Sequence, residues 1–325
     1  MTTRGLRDDD HTGFDRPRRR SRPRTKDRPD YSEAEIGMII TIDRGRYRVL
    51  VDGREVTAVK ARQLGRKSVI VGDRARVVGD TSGEEGTLAR IVEVEDRTTV
   101  LRRTADDDDP YERPVVANAD QLAIVTALAD PPPRTGMIDR ILVAGYDAGL
   151  EPLLCLTKAD LAAPDELLAA YRPLGVPSVV LAPDSDLEPL RAALAGRVSV
   201  LVGHSGVGKS TLVNRLIPGS DRAIGQVNEV TGRGRHTSTS AIALALPGGD
   251  GWVIDTPGVR SFGLSHVTPD RIVAAFGDLA EFAADCPRGC HHTAADPECA
   301  LDAAVADGRL GAGRLESFRR MITTA

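Results

Sequence analysis

Two short runs carry side chains whose types and spacing could do chemistry on a nucleotide. Gly203-His204-Ser205-Gly206-Val207-Gly208-Lys209-Ser210-Thr211 satisfies G-x-x-x-x-G-K-[ST]. In such a loop, backbone N–H groups at a helix N-terminus cradle phosphate oxygens, and glycine lets the main chain come close. Lys209 would reach the β- and γ-phosphates, and the Ser210 hydroxyl would sit on Mg²⁺. The chain has only five lysines, so a chance match is rare. The second run, Thr157-Lys158-Ala159-Asp160, follows the apolar stretch "LLCL". One carboxylate, Asp160, can accept both N1–H and N2–H₂ of guanine, a donor pair that adenine lacks, and so would impose GTP over ATP. The Lys158 stem would pack on the base plane while its head braces the phosphate loop. A further base-supporting loop containing Ser-Ala would follow "PSVVL", but the chain has Ala182-Pro183 there, a poor match.

Other residues fit the same chemistry. "WVIDTPG" ends an apolar run in D-x-x-G, so Asp255 would hold Mg²⁺ through water and the Gly258 N–H would sense the γ-phosphate. In the polar loop "TGRGRHTSTS" Thr237 is the candidate to ligate Mg²⁺ and close over that phosphate. Ras-like enzymes follow D-x-x-G with a water-orienting Gln, whereas this chain has Val259. Hydrolysis must then recruit a group from elsewhere, and His236 is the nearest. Lys209, His236 and Thr237 form the candidate catalytic set. Separately, Cys286, Cys290, His292 and Cys299 supply three thiolates and an imidazole within 14 residues. That is the composition of a closed structural Zn²⁺ site; His291 could replace His292. Cys155 lies in an apolar run and reads as core.

These residues need elements to position them. Residues 1–32 are rich in Arg and Pro without apolar periodicity, which predicts a disordered basic tail. Across 33–105, five Val/Ile/Thr-rich runs separated by turn signals predict a small barrel of the OB type, with an SH3-like barrel as the alternative. Tyr47 is its only aromatic, so RNA contact through arginines is expected rather than base stacking. "TADDDDPYERP" (104–114) reads as a linker. From there to 265, strands alternate with helices of about ten residues, the pattern of a mostly parallel sheet covered on both faces. Residues 266–325 read as helical around the Cys/His cluster. In open α/β sheets ligands bind at the carboxyl ends of strands, so Thr157, Val202 and Asp255 should lie along one edge.

Composition bounds the rest. The chain has 325 residues, 41% hydrophobic, 28% charged and 3% aromatic, as expected of a soluble multidomain protein. No apolar run approaches a membrane span or a signal peptide. Three of its four cysteines crowd between 286 and 299, which fits a metal site in a reducing compartment, the cytoplasm. Residues 1–105 carry a balance of +6 and the remainder −10, a layout suited to meeting nucleic acid with one end.

The barrel, then T-K-A-D, then "GHSGVGKSTLVN", "GRGRHTST", "DTPG" and a Cys-Cys-His-Cys knuckle together resemble the circularly permuted bacterial GTPases of the RsgA family. The base-reading tetrad stands more than forty residues ahead of the phosphate loop, the reverse of the ordinary order. The resemblance also takes in "MIDRILVAGYDAGLEPLLCLTKADL" and "LESFRRM". It implies an RNA-binding OB domain (33–105), a permuted GTPase domain (106–265) and a zinc-binding helical domain (266–325). It further implies GTP/GDP, Mg²⁺ and one structural Zn²⁺, action on the 30S ribosomal subunit and its rRNA during late maturation, hydrolysis stimulated by that subunit, and a switch-loop His, here His236, that assists hydrolysis. A monomer is expected. The family's phosphate loop often has Gln where this chain has His204, and the knuckle spacing differs slightly. Two rivals remain at this stage: a P-loop ATPase or kinase, and a GTP-gated RNA-binding switch with negligible turnover.

Overall fold

The computed structural model describes residues 30–65, 69–103, 113–220, 241–256 and 268–324. Met1–Glu33 is one unit, nearly all of it outside the described residues, and Ala34–Ala325 is the other and holds every element below.

Five strands come first: β1 (Glu35–Asp43), β2 (Arg46–Val51), β3 (Arg54–Lys60), β4 (Arg74–Gly79) and β5 (Ala89–Val94). They pair β1–β2, β2–β3, β3–β5, β5–β4 and β4–β1, which closes an OB-like barrel and leaves no free edge within it. Alternation does the sorting: in β2 Tyr47, Val49 and Val51 face the core, and Arg46 and Arg48 face out. The Tyr47 ring is buried, so it is core and offers no stacking platform. A β6 (Val100–Arg103) and β7 (Arg113–Ala117) hairpin follows. This corrects the linker reading at its end, since Arg113 and Pro114 belong to β7.

The remaining strands are β8 (Gln121–Ala127), β9 (Glu151–Thr157), β10 (Ser178–Val180), β11 (Val198–Val202), β12 (Ile242–Ala245) and β13 (Trp252–Asp255). Their order is β10-β9-β8-β11-β13-β12, parallel except for β12. β8 is buried at every residue, as a central parallel strand covered on both faces must be. The order continues from β12 into β1 through Thr41 and Ile242, so barrel and parallel sheet are hydrogen-bonded into one. No sequence pattern announced that junction.

Helices α1 (Thr135–Asp147), α2 (Asp165–Tyr171), α3 (Glu188–Leu194) and α4 (Lys209–Leu216) cover the sheet. In α1, Ile138, Ile141, Leu142 and Gly145 recur at helical spacing and are buried. α3 and α4 share a core with one sheet face through Leu190, Leu194, Leu212 and Leu216. α5 (Pro269–Ala274), α6 (Gly277–Ala283), α7 (Ala300–Ala306) and α8 (Ala312–Thr324) complete the described helices. Their Leu301, Phe318 and Met321, with Phe276 between α5 and α6, join the core of the opposite sheet face with Ile141 and Tyr171. Among the described residues no helix is long and apolar enough to cross a membrane.

Candidate functional site

The parallel pairing of β9, β8, β11 and β13 brings their carboxyl ends to one edge. Thr157 ends β9, Val202 ends β11 and Asp255 ends β13, so three runs distant in sequence meet there. The 203–208 loop leads from β11 into α4. A Cβ on Gly203 would stand 2.4 Å from the Val125 carbonyl oxygen, so only glycine fits where the loop leaves the sheet. Gly208 has φ of 88°, a backbone open to glycine at little cost.

Lys209 opens α4 and is nearly buried. Its ammonium pairs with the Asp255 carboxylate and donates to the Thr256 carbonyl oxygen at 2.5 Å. A buried ammonium needs such partners, and the pair holds both charges at the loop's mouth. His204 Nδ1 lies 2.8 Å from the carbonyl oxygen of Ser205.

The T-K-A-D tetrad is tied to the phosphate loop, but by a different residue from the one its sequence suggests. The Thr157 hydroxyl lies 2.6 Å from the Val207 carbonyl oxygen and 3.2 Å from that of Thr126. The Lys158 ammonium instead donates to the Asp130 carbonyl oxygen, with the Asp130 carboxylate 3.9 Å away. Lys158, expected to brace the phosphate loop, has a left-handed backbone (φ 57°) and is bonded here to the loop after β8. Thr157, read only as the tetrad's first letter, makes that tie, and nothing in its spacing announced it.

The loop that follows β10 packs against the tetrad, with the Ala159 N–H donating to the Leu181 carbonyl oxygen at 3.2 Å. Here the poorly matched Ala182-Pro183 acquires a structure. Ser185 Oγ accepts the Ala182 N–H at 2.7 Å. The Arg215 guanidinium, in the last turn of α4, donates to the carbonyl oxygens of Ala182 at 3.1 Å and Ser185 at 2.5 Å. His236, Thr237, Gly258 and Val259 lie outside the described residues, so their expected roles have no geometry here.

At the other end of the chain, Cys286, Cys290, His292 and Cys299 present ligand atoms that all lie within 4.8 Å of one another. His292 Nδ1 is 3.5 Å from Cys286 Sγ and 3.6 Å from Cys290 Sγ, and Cys286 Sγ is 3.9 Å from Cys299 Sγ. Tetrahedral Zn²⁺ with arms of about 2.3 Å to sulfur and about 2.0 Å to nitrogen separates its ligands by roughly 3.5–3.8 Å. The four groups fit that ion, and it is His292, not His291, that joins the thiols. Desolvation pushes the Cys290 thiol up to about 12 and raises Cys286 too. Three thiolates brought this close would repel one another, and a cation would hold them together. The guanidinium of Arg319 fixes the knuckle backbone, donating to the His292 carbonyl oxygen at 3.0 Å and to both Asp302 carboxylate oxygens at 2.7 Å.

Comparison with known proteins bears on both sites. A family model described as RsgA GTPase matches residues 94–265. The small ribosomal subunit biogenesis GTPase RsgA of Ectopseudomonas mendocina is 46% identical over 221 residues, 65% of this chain and 64% of that protein. Its namesake in Pseudomonas fluorescens is 42% identical over 263 residues, 77% of this chain and 75% of that one. The match therefore spans just under two thirds of the first relative's length. Among solved structures, YjeQ from Thermotoga maritima superposes with a TM-score of 0.66 at 26% identity, covering 89% of this chain and 97% of that one. YloQ, described as a circularly permuted GTPase, gives 0.63 at 24% identity, covering 90% and 95%. The second likeness shows the fold.

Proposed function

This chain belongs to the RsgA GTPase family, and from that premise we propose that it binds GTP with Mg²⁺, hydrolyses it to GDP and phosphate, and acts on the 30S ribosomal subunit and its rRNA during maturation. The observation that supports the nucleotide reading is the Thr157–Val207 hydrogen bond, which ties the T-K-A-D tetrad to the 203–208 loop although the tetrad comes first in sequence. In this reading Asp160 accepts the guanine donors, and Thr157 fixes the tetrad's entry. The backbone of Gly203, His204, Ser205, Gly206, Val207 and Gly208 cradles the phosphates, with Lys209 neutralising them and Ser210 and Thr211 opening the helix beneath.

Lys209 exchanges partners when phosphate arrives. Its ammonium would turn from Asp255 to phosphate oxygens. Ser210, Thr237 and, through water, Asp255 would hold Mg²⁺, which supplies charge neutralisation on the phosphates. Gly258 would report the γ-phosphate, and His236 would orient the attacking water in place of the Gln that Val259 lacks. Catalysis of this kind rests on positioning and electrostatics rather than on covalent chemistry. Cys286, Cys290, His292 and Cys299 would hold one structural Zn²⁺. Residues 33–105 would be the RNA-binding domain, 106–265 the GTPase domain and 266–325 the zinc domain, in a cytoplasmic monomer with no membrane association.

Competition titration tests the nucleotide class. With labelled GDP bound, unlabelled GTP should displace it at concentrations at least a hundredfold below those of ATP. Equal displacement by the two would reject the guanine-reading role of Asp160 and favour a P-loop ATPase.

A further inference from the structure

The loop after β10 shows a residue of the site that neither motif contains. Its segment 182–185 has no strand partner, includes a proline, and departs from the Ser-Ala expected at a base-supporting loop. Unsupported, such a loop would sample several conformations and make a poor wall for a base. Three contacts prevent this: Ser185 Oγ accepts the Ala182 N–H, and the two arms of the Arg215 guanidinium hold the Ala182 and Ser185 carbonyl oxygens. The guanidinium is a rigid planar donor fork, so engaging two carbonyls three residues apart fixes the turn between them.

We infer that Arg215 is a positioning residue for base selectivity, holding the 182–185 loop against the T-K-A-D tetrad from the far end of the phosphate-loop helix. The inference rests on the reading that Asp160 recognises guanine. An arginine in a helix's last turn often serves its own helix's terminal carbonyls. Here both bonds go instead to the loop, and the Leu181 carbonyl oxygen that starts the loop accepts the Ala159 N–H of the tetrad. Lys209 and Arg215 lie six residues apart on α4, about 9 Å along its axis. One short helix thus has the phosphate-binding lysine at its start and the support for the base wall near its end.

The test measures GDP and ADP affinities of the full-length protein by titration, for wild type, Arg215→Ala, Arg215→Lys, Ser185→Ala and Asp160→Asn. Losing two charge-assisted bonds at the loop should weaken GDP binding about tenfold while ADP affinity holds, so the GDP/ADP ratio narrows. Arg215→Lys, able to hold one carbonyl at a time, should fall between. Ser185→Ala should narrow the ratio too, and the Arg215→Ala/Ser185→Ala double variant should lose less than the two single losses combined. Equal weakening of GDP and ADP in Arg215→Ala, or an unchanged ratio, overturns the inference. Should Arg215→Ala fail to fold, Arg215→Lys and Ser185→Ala decide by the same ratio. Asp160→Asn separates the two levels. If it collapses the ratio while the Arg215 and Ser185 variants do not, the positioning role alone is wrong. If it leaves the ratio intact, guanine recognition by Asp160 is wrong and the inference falls with it.

Discussion

Lys209 and Asp255 are two buried charges that share one contact, and that contact is where a nucleotide would intervene. Removing either alone takes from a buried charge its opposite charge, which is strongly destabilising. The neighbouring tetrad shows how far residue types can be read. Asp160 is proposed to read guanine, and a carboxylate three residues beyond an apolar strand is visible in sequence. Lys158 has the same visibility, yet its ammonium is bonded to Asp130 in the loop after β8. Residue type is legible there, and side-chain orientation is not. In the proposed mechanism His236 takes the water-orienting part, since Val259 offers no hydrogen bond to water. Replacing His236 by Ala should lower kcat at least tenfold while GTP affinity changes less than threefold. Stopped-flow binding with single-turnover hydrolysis separates the two, and equal losses in both would remove His236 from the chemistry.

At the scale of elements, the five barrel runs, the β/α alternation and the four-ligand knuckle were all legible, because period, turn residues and ligand types are local properties. The β6–β7 hairpin and the β1–β12 pairing were not, since strand pairing is set by geometry between distant segments. The Cys286, Cys290, His292 and Cys299 cluster lies between α6 and α7, in a stretch with little regular structure. Full-length protein should carry one zinc per chain by elemental analysis, and the Cys286→Ser/Cys290→Ser variant should lose it. Its melting temperature should drop by roughly 5 °C or more. A folded, equally stable, metal-free protein would reject the site.

Acid should loosen the same elements. Arg314 and Arg319 hold the Asp278 and Asp302 carboxyls below the usual range through direct hydrogen bonds. Because these folded-state values are depressed, their stabilisation is complete above the ordinary carboxylate pKa near about 4 and is lost as pH falls through the lowered values. Denaturant midpoints taken between pH 6 and 3 should fall in wild type. They should fall less in Asp278→Asn/Asp302→Asn, and parallel curves would contradict the assignment.

For the whole molecule, the consequence of the permuted order lies in what surrounds the nucleotide edge. β12 follows the segment containing Thr237 and pairs with β1 of the barrel, while α5 begins shortly after Gly258. α8 in turn packs on α1 and α2, where Arg320 Nε lies 3.1 Å from a carboxylate oxygen of the buried Asp139 and the guanidinium stacks over Tyr171 at 5.2 Å. The first of these contacts joins residues 181 positions apart, and neither has a signature in either segment alone. Both ends of the GTPase elements therefore adjoin elements outside the nucleotide edge, a physical route by which a bound partner could alter turnover. The claim that unites these observations is that hydrolysis answers to the small ribosomal subunit. Its most direct test is the GTP hydrolysis rate of the full-length protein alone, with purified 30S subunits and with purified 50S subunits. The account predicts a slow basal rate that rises at least tenfold with 30S and stays unchanged with 50S. A rate indifferent to 30S, or raised equally by both, would contradict it.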